Sequence, residues 1–471
     1  MAHIVFLQRH YYEYGAPAIL SAVLKKSGHT TSLLIGEKAR HFTSKIRPSD
    51  IVAFSTMTGL HHWALAIASE IKKATTALTV FGGPHPTYFP GIIEHPAVDV
   101  ICRGEGEYPL LDIADTFDKG QDISQIANLW VKKEGHVYKN ELRPLIEDLD
   151  GLPFPDRKVY YQRYAFLRKN PFKTFIAGRG CPYRCSFCFN PMLKAMYEGK
   201  GKYVRLRSPA NLMQEIKNVR DTYGLKTIYF TDDILIINKP WLKNFFSLYK
   251  KEIFLPFTCD GRADILDEEI VVLLRESGCF CVRFGIESGN ERIRTTLLNK
   301  NITNAQIVSA AALLKKYNLK FMTYNMVGIP EETIENVFET VTLNMNIKTD
   351  YPRCSLLTPY PGTQVEVYAA DRKLLEENVE VLRGSSQQYE SIVRSRYKNQ
   401  ILNTHSFFQT AVMFPRTWNL IKRLIHFPHN SIFRLWWAFI YFFVFVKGER
   451  RSFFFTLVFA IRSVGSIFEK K

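Results

Sequence analysis

Three cysteines, Cys181, Cys185 and Cys188, stand at C-x3-C-x2-C spacing in the run Gly178-Arg179-Gly180-Cys181-Pro182-Tyr183-Arg184-Cys185-Ser186-Phe187-Cys188-Phe189-Asn190. A Gly-rich turn opens this loop, and an aromatic residue, Phe187, precedes the last thiol. Three thiolates so close in sequence can wrap one metal cluster. A cubane [4Fe-4S] cluster is normally held by four thiolates, so three leave one iron open to bind another molecule. Structural zinc is the rival reading, but it takes four ligands, usually from two Cys or Cys/His pairs, and no second pair lies nearby. Cys259, Cys279 and Cys281 fall in apolar, strand-like runs, and Cys102 precedes a Gly-rich turn. Cys354 reads either as a small buried hydrophobe or as an extra thiol inside the same site.

Such a loop must be delivered by something rigid. The run Phe172 to Ala177 reads as a strand leading into it. Further strands are expected at Thr227 to Phe230, Phe254 to Cys259, Cys281 to Ile286, Lys320 to Val327 and Arg353 to Leu357, with helices between. This rhythm implies an incomplete (βα)6 barrel, and barrels place their chemistry at the C-terminal strand ends. The polar residues gather there, as Thr231-Asp232-Asp233, Asp260-Gly261-Arg262, Gly285-Ile286-Glu287-Ser288-Gly289 and Gly328-Ile329-Pro330-Glu331-Glu332. A single carboxylate after a strand is commonly a helix cap. At successive strand ends, the set points to one cofactor site.

Residues 1 to about 140 read as a separate α/β unit. Strands at Ile4 to Leu7, Thr31 to Ile35, Ile51 to Ser55 and Leu78 to Phe81 alternate with helices at Ala16 to Lys26 and His61 to Ala74. The pattern implies a doubly wound parallel sheet whose ligand crevice lies beyond the carboxyl ends of its strands. Ser55-Thr56-Met57, Gly82-Gly83-Pro84-His85-Pro86-Thr87 and Arg103-Gly104-Glu105-Gly106-Glu107 each follow an apolar run. Glycines there let a bulky ligand approach the backbone; the alternative is a Rossmann-like sheet that uses them only for turns. Asp148-Leu149-Asp150-Gly151-Leu152-Pro153-Phe154-Pro155 is rich in turn formers. The expected units are therefore residues 1–140, a linker at 141–170, a barrel at 171–370 and a helical, basic, aromatic region at 371–471.

The first unit resembles the cobalamin-binding domain found at the N-terminus of many radical S-adenosylmethionine (SAM) enzymes. Ser55-x-Met57 stands where those domains carry Ser-x-Leu, and Gly82-Gly83 where they carry paired glycines facing the cobalamin tail. Gly104 and Glu105 extend that expected edge. Aligned on Gly15, His10 and Tyr12 replace the Asp and His of the Asp-x-His-x-x-Gly motif, so no lower histidine ligand is expected from it; His10 is the remaining candidate, and His85 reads as a turn residue. The cysteine loop resembles the signature of the radical SAM superfamily. By that resemblance the open iron chelates the amino and carboxylate groups of SAM. One electron then cleaves the sulfonium C–S bond, giving a 5′-deoxyadenosyl radical. Asp232 and Asp233 occupy the region of the superfamily's Gly-Gly-Glu motif, which receives the SAM ammonium. The resemblance also implies Arg262 at the carboxylate, Glu287 at the ribose hydroxyls, and Gly328 with Ile329 beside the adenine. Arg205-Leu206-Arg207-Ser208-Pro209 and Thr358-Pro359-Tyr360-Pro361-Gly362-Thr363 resemble stretches of the cobalamin-containing branch; Arg205 and Arg207 read equally well as a solvated basic edge. The resemblance covers residues 1 to about 370.

Composition bounds the rest. A 471-residue chain with 46% hydrophobic residues and a mean hydropathy of -0.11 is globular, and eight cysteines are too few for a disulfide scaffold. The N-terminus lacks the pattern of a signal peptide, and the expected location is cytoplasmic, at the inner face of the membrane where the tail touches it. The net charge is +17; from Arg394 onward thirteen Lys and Arg stand against two Glu, a balance of +11. That excess lies among aromatic and apolar residues, which suits an anionic membrane surface better than nucleic acid. Leu435 to Val446 and Ser452 to Ile461 are each shorter than the roughly 20 residues of a membrane span. Two short apolar helices dipping into one leaflet, or a lid on the barrel or a dimer contact, are the readings left.

The resemblance implies a class B type methyltransferase. The deoxyadenosyl radical abstracts hydrogen from an unactivated carbon of a small or lipid-like substrate, and the carbon radical takes a methyl group from methylcobalamin. An electron donor such as flavodoxin or ferredoxin is implied. Two alternatives are an oxidative cyclase or rearrangement enzyme without methyl transfer, and a non-catalytic cobalamin or redox sensor.

Overall fold

Strand β1 (His3–Gln8) contributes to two cores at once. Ile4 and Phe6 join one buried cluster and Val5 and Leu7 another, because successive side chains of a strand point to opposite faces. The same alternation recurs in β2 (Thr30–Ile35), β3 (Asp50–Ser55), β4 (Leu78–Gly82) and β5 (Val100–Cys102). Helices Gly15–Lys26 and Glu107–Asp118 cover the first face and helix His61–Ala74 the second. The computed structural model describes residues 1–376, 390–450, 453 and 456–458.

The N-terminal sheet has seven strands, in the order β2-β1-β3-β4-β5-β6-β7. Pairing is parallel from β1 to β5 and antiparallel for β6 (Leu129–Lys133) and β7 (His136–Lys139). This hairpin is absent from the expected pattern. It turns on Glu134 and Gly135, whose φ values of 51° and 78° suit a two-residue hairpin turn.

The chain then enters β8 (Phe172–Phe175) and passes through a short antiparallel pair, β9 (Gly178–Arg179) and β10 (Arg205–Leu206). It continues through β11 (Thr227–Phe230), β12 (Phe257–Gly261), β13 (Cys279–Glu287), β14 (Lys320–Val327) and β15 (Tyr351–Leu356). Six of these form an all-parallel sheet in the order β15-β14-β13-β12-β11-β8. β12 begins later than expected, since Phe254 has φ 46° and Pro256 offers no N–H to a ladder. Phe230, Phe257, Cys259, Val282, Phe284 and Phe321 pack in one cluster with the helices that follow the strands.

Alternate residues form a buried polar layer. Arg283, fully buried, donates to Asp260 at 2.9 Å and to the Phe230 carbonyl at 3.1 Å, and lies 3.7 Å from the Tyr229 ring centre. After β15, helices Lys398–Met413, Trp418–Leu424 and Ser431–Gly448 pack beyond the sheet edge. Helix Ser431–Gly448 merges the first apolar tail run into one helix of 18 residues, long and apolar enough to cross a membrane by length and composition. Trp437 and Val444 are buried, whereas Ile432, Leu435, Trp436, Phe439 and Phe443 form an exposed face. Arg353 donates to Glu449 at 3.1 Å, tying the end of this helix to β15. Most of the second tail run, Ser452 to Ile461, lies outside the described residues.

Candidate active site

The cysteine loop follows β8 and is fastened to the barrel through Arg184, Ser186 and Phe187. The Ser186 N–H donates to the Leu298 carbonyl at 3.0 Å, its hydroxyl to the Leu297 carbonyl at 2.6 Å, and its own carbonyl accepts from the Val365 N–H at 3.1 Å. Phe187 packs on a buried cluster that includes Ile329, Met326, Leu357 and Ile293. Asn299 donates to the Arg184 carbonyl at 2.8 Å. The three cysteines are free and partly exposed. Among the described residues no three His, Cys, Asp or Glu side chains converge on a single metal ion. In a cubane each thiolate binds a different iron, so the three sulfurs need not meet at one point. Burial pushes the Cys185 thiol up, while the Lys300 ammonium and Arg262 guanidinium pull it down. Those cations favour the thiolate that a cluster needs.

The strand-end residues meet this loop in different ways. Adjacent in sequence, Asp232 and Asp233 have different partners. Asp232 is buried and accepts from the Ala177 N–H at 2.9 Å and the Gly178 N–H at 2.7 Å, with burial raising its carboxyl to about 7. Asp233 faces the loop and accepts from Asn190 Nδ2 at 3.2 Å. Arg262 donates from Nε and Nη2 to Asp264, and its guanidinium lies 3.5 Å from the Tyr183 ring centre. Glu287 has φ 65° at a register shift between β13 and β14 and accepts from Lys300 at 2.7 Å. Irregularities of this kind re-aim a side chain at a strand end. Gly328 and Ile329 give their amides to one oxygen of Glu332, at 2.7 and 3.2 Å.

A cavity of about 550 Å³ separates the carboxyl end of the N-terminal sheet from the cysteine loop. Ser55, Gly82, Gly83 and Gly104 line one wall; Arg179, Asn190, Tyr203 and Asp233 line the other. Met57, 40% exposed, does not line it. Gly83 has φ 93° and ψ -170°, a region essentially restricted to glycine, and a Cβ there would press on the Thr56 backbone at 2.9 Å. A Cβ at Gly104 would overlap the Tyr197 hydroxyl. A Cβ at Gly82, in contrast, would meet nothing closer than 3.9 Å. These bare strand ends fit a bulky ligand against the backbone.

Among the described residues, no histidine lines this cavity. His10 lines a separate depression with Arg40 and His41. His85 sits in a short helix, Pro84–Tyr88, within hydrogen-bonding distance of the Thr58 hydroxyl (3.1 Å) and stacked on His61. Burial, with His61 and His62 adding to it, lowers its pKa to about 3. Arg205 and Arg207 are not a solvated edge. Both are buried, Arg205 donating to Glu105 at 3.1 Å and Arg207 to Glu215. Cys354 packs outward with Val327, Ile401 and Phe408 rather than into the site.

Comparison with known proteins places this geometry. Residues 175–343 match the radical SAM superfamily, and residues 12–114 match the B12 binding domain. An uncharacterized methyltransferase of Pyrococcus horikoshii is 31% identical over 330 residues, covering 69% of this chain and 70% of that protein. The chain belongs to the radical SAM superfamily, in its B12-binding branch. The anaerobic magnesium-protoporphyrin IX monomethyl ester cyclase of Rubrivivax gelatinosus is 27% identical over 406 residues, covering 78% of this chain and 71% of that one. In fold, the radical SAM enzyme is similar to the methyltransferase TsrM from Kitasatospora setae, with a TM-score of 0.66 at 18% identity over 80% of this chain and 79% of that chain. Its cofactors are a [4Fe-4S] cluster, SAM and cobalamin.

Several residues that shape this radical SAM site carry no motif. Arg179 donates to Glu105 at 2.7 Å and to Glu107, so Glu105 joins the two units besides lining the cavity. The Tyr197 hydroxyl accepts from the Glu105 N–H at 3.1 Å. Tyr88 stacks on Phe189 at 4.4 Å, and Tyr360 of the resembling Thr358-to-Thr363 stretch packs against the same ring at 5.3 Å. Glu105 and Tyr360 lay in stretches the sequence marks, and Arg179 stands in a Gly-x-Gly frame; Tyr88 and Tyr197 had no such signal.

Two substitutions probe this arrangement. Gly83→Val is expected to cost about 1–3 kcal/mol of backbone strain and to weaken cobalamin binding by about tenfold or more, read by absorbance titration of the cluster-free protein. Glu332 is buried, and burial raises its carboxyl from 4.5 to about 8, so it is protonated at neutral pH. Its folded-state proton affinity exceeds that of the unfolded chain. The associated stabilisation is complete below about pH 4.5 and is lost as pH rises through about 8. Glu332→Gln is therefore expected to match the wild type in mild acid and to exceed it in urea midpoint under mildly alkaline conditions. Equal midpoints at every pH would count against a buried neutral carboxyl.

Proposed function

We propose that this radical SAM enzyme methylates an unactivated carbon of a small or lipid-like substrate. The observation that carries the reading is the shared cavity, with the glycine edge of the B12-binding unit on one wall and the cysteine loop on the other. Bound there, the cluster and SAM supply a carbon-centred radical and cobalamin supplies the methyl group. Cys181, Cys185 and Cys188 hold the cluster, with Ser186 and Phe187 fixing their loop. Asp233 receives the SAM ammonium, Asp232 being taken up by backbone amides. Arg262 and Glu287 face the cofactor's carboxylate and ribose, Ile329 lends an apolar wall near the adenine, and Gly328 opens the turn beside it. Ser55, Gly82, Gly83 and Gly104 form the backbone edge for cobalamin, with Met57 beside it and Glu105 bracing it. A flavodoxin or ferredoxin class donor reduces the cluster.

The exposed face of helix Ser431–Gly448, with Arg434, Lys447 and Arg450 beside it, lies against an anionic membrane surface in this reading. Co-sedimentation with anionic but not zwitterionic vesicles, lost on replacing Trp436 and Phe439 with Ser, is the expected result.

Anaerobic assay of the reconstituted enzyme, on precursors accumulating in a deletion strain, tests the reaction. A product heavier by one methylene supports methyl transfer. A product lighter by hydrogen favours the second reading, an oxidative cyclase, which the cyclase relative supports. Cluster assembly without reductive SAM cleavage would leave only a sensor.

A further inference from the structure

Of the three thiols, Cys188 is the one met by a side-chain N–H among the described residues. The backbone N–H of Asn190 lies 3.4 Å from its sulfur, and the side-chain Nδ2 lies 3.6 Å away. The orientation of this amide is fixed by its other partners. Tyr203 donates its hydroxyl to Asn190 Oδ1 at 2.6 Å, and Asp233 accepts from Nδ2 at 3.2 Å. Turned the other way, the amide oxygen would face a carboxylate and a sulfur, both acceptors, and its NH2 group would replace the acceptor that Tyr203 uses. Burial, reinforced by Tyr88, Asp233 and Cys188, holds the Tyr203 hydroxyl well above the usual phenol range, so it stays a donor. Asn190, Tyr203 and Asp233 all line the cavity between the two cofactor-binding units.

We propose that Asn190 is a positioning residue that sets the reduction potential of the cluster through Cys188, held in its donating orientation by Tyr203 and Asp233. Hydrogen bonds to a cluster's sulfurs are among the levers that set its potential, because they offset the negative charge gained on reduction. Removing one makes the cluster harder to reduce. The inference rests on the three cysteines holding the cluster and is independent of the substrate and of methyl transfer.

The test compares the wild type with Asn190→Ala and Tyr203→Phe, each reconstituted anaerobically and assayed for iron and sulfide. The cluster's midpoint potential is then measured by redox titration followed by electron paramagnetic resonance, without substrate. The expected result is unchanged cluster content with a shift to more negative potential in Asn190→Ala. A smaller shift of the same sign is expected in Tyr203→Phe, where the amide remains but is free to turn. A structural role alone would lower cluster content without moving the potential of the clusters that form. Unchanged potentials in both variants would overturn the proposal. If Asn190→Ala holds no cluster, Tyr203→Phe decides: a negative shift supports the proposal and no shift overturns it. A wild type that assembled no cluster would instead overturn the cluster assignment itself.

Discussion

Cys185→Ala is expected to abolish reductive cleavage of SAM while leaving the fold and cobalamin binding in place. Even partners outside the ligand set cost about 10–100-fold in metal affinity or activity when lost, so losing one of three protein ligands should exceed about 100-fold. The loop itself does not depend on the Cys185 thiol, since Ser186 and Phe187 fasten it to Leu297, Leu298, Val365 and the Ile329 cluster. The glycine edge proposed for cobalamin lies across the shared cavity from the loop, and Cys185 itself does not line that cavity. The measurements are iron content, release of 5′-deoxyadenosine on reduction with SAM, and an absorbance titration with cobalamin. A variant that still released 5′-deoxyadenosine at the wild-type rate would remove Cys185 from the cluster. Simultaneous loss of cobalamin binding and of thermal stability would mean that the substitution had unfolded the loop instead.

The cysteine loop and the strand that delivers it were legible because their information is local: three thiols within eight positions, an aromatic, and a preceding apolar run. The strand ends were legible as places and less so as roles. Asp232 and Asp233 are neighbours in sequence, and their division of labour comes from the parallel pairing of β8 with β11. That pairing brings the amides of Ala177 and Gly178 to one carboxylate and leaves the other at the loop. Nothing in the two-residue run could express this. The same holds for Glu105, Arg179 and Arg205, which come from two separate units and meet only when these dock. For Arg205 and Arg207 the solvated-edge reading stayed open beside the resemblance because nothing local in the sequence pairs them with Glu105 and Glu215. The antiparallel hairpin was missed because β7 buries little, its residues being largely exposed, and so shows no apolar alternation. In the tail, one turn of mixed residues, from Ser431 to Arg434, extends the apolar run into one helix capped by Asn430, which accepts from the Ile432 and Phe433 amides.

Arg179→Met is expected to loosen the join between the B12-binding unit and the cysteine loop more than it disturbs either unit. Arg179 lies two residues before Cys181 and reaches Glu105 and Glu107 across the interface. Glu105 keeps Arg205 and the Ile146 N–H after the substitution, so the loss falls on Glu107, whose side chain is 5% exposed. Removing one partner of a buried pair costs about 3–5 kcal/mol because a buried charge is left uncompensated. The effect should sit at the lower end of that range, since a quarter of the Arg179 side chain reaches solvent. The expected result is a lower unfolding temperature and cobalamin affinity reduced by more than about tenfold, with iron content near that of the wild type. Arg179→Met combined with Glu107→Gln should recover much of the stability, because the stranded charge is gone; the double-mutant cycle isolates the pair. Cobalamin affinity should recover less, since no ion pair then holds the loop to Glu107. If the single variant melted and bound cobalamin like the wild type, these ion pairs would not be what registers the cluster loop against the cobalamin edge, and the stacking of Tyr88 on Phe189 would be left to carry that contact.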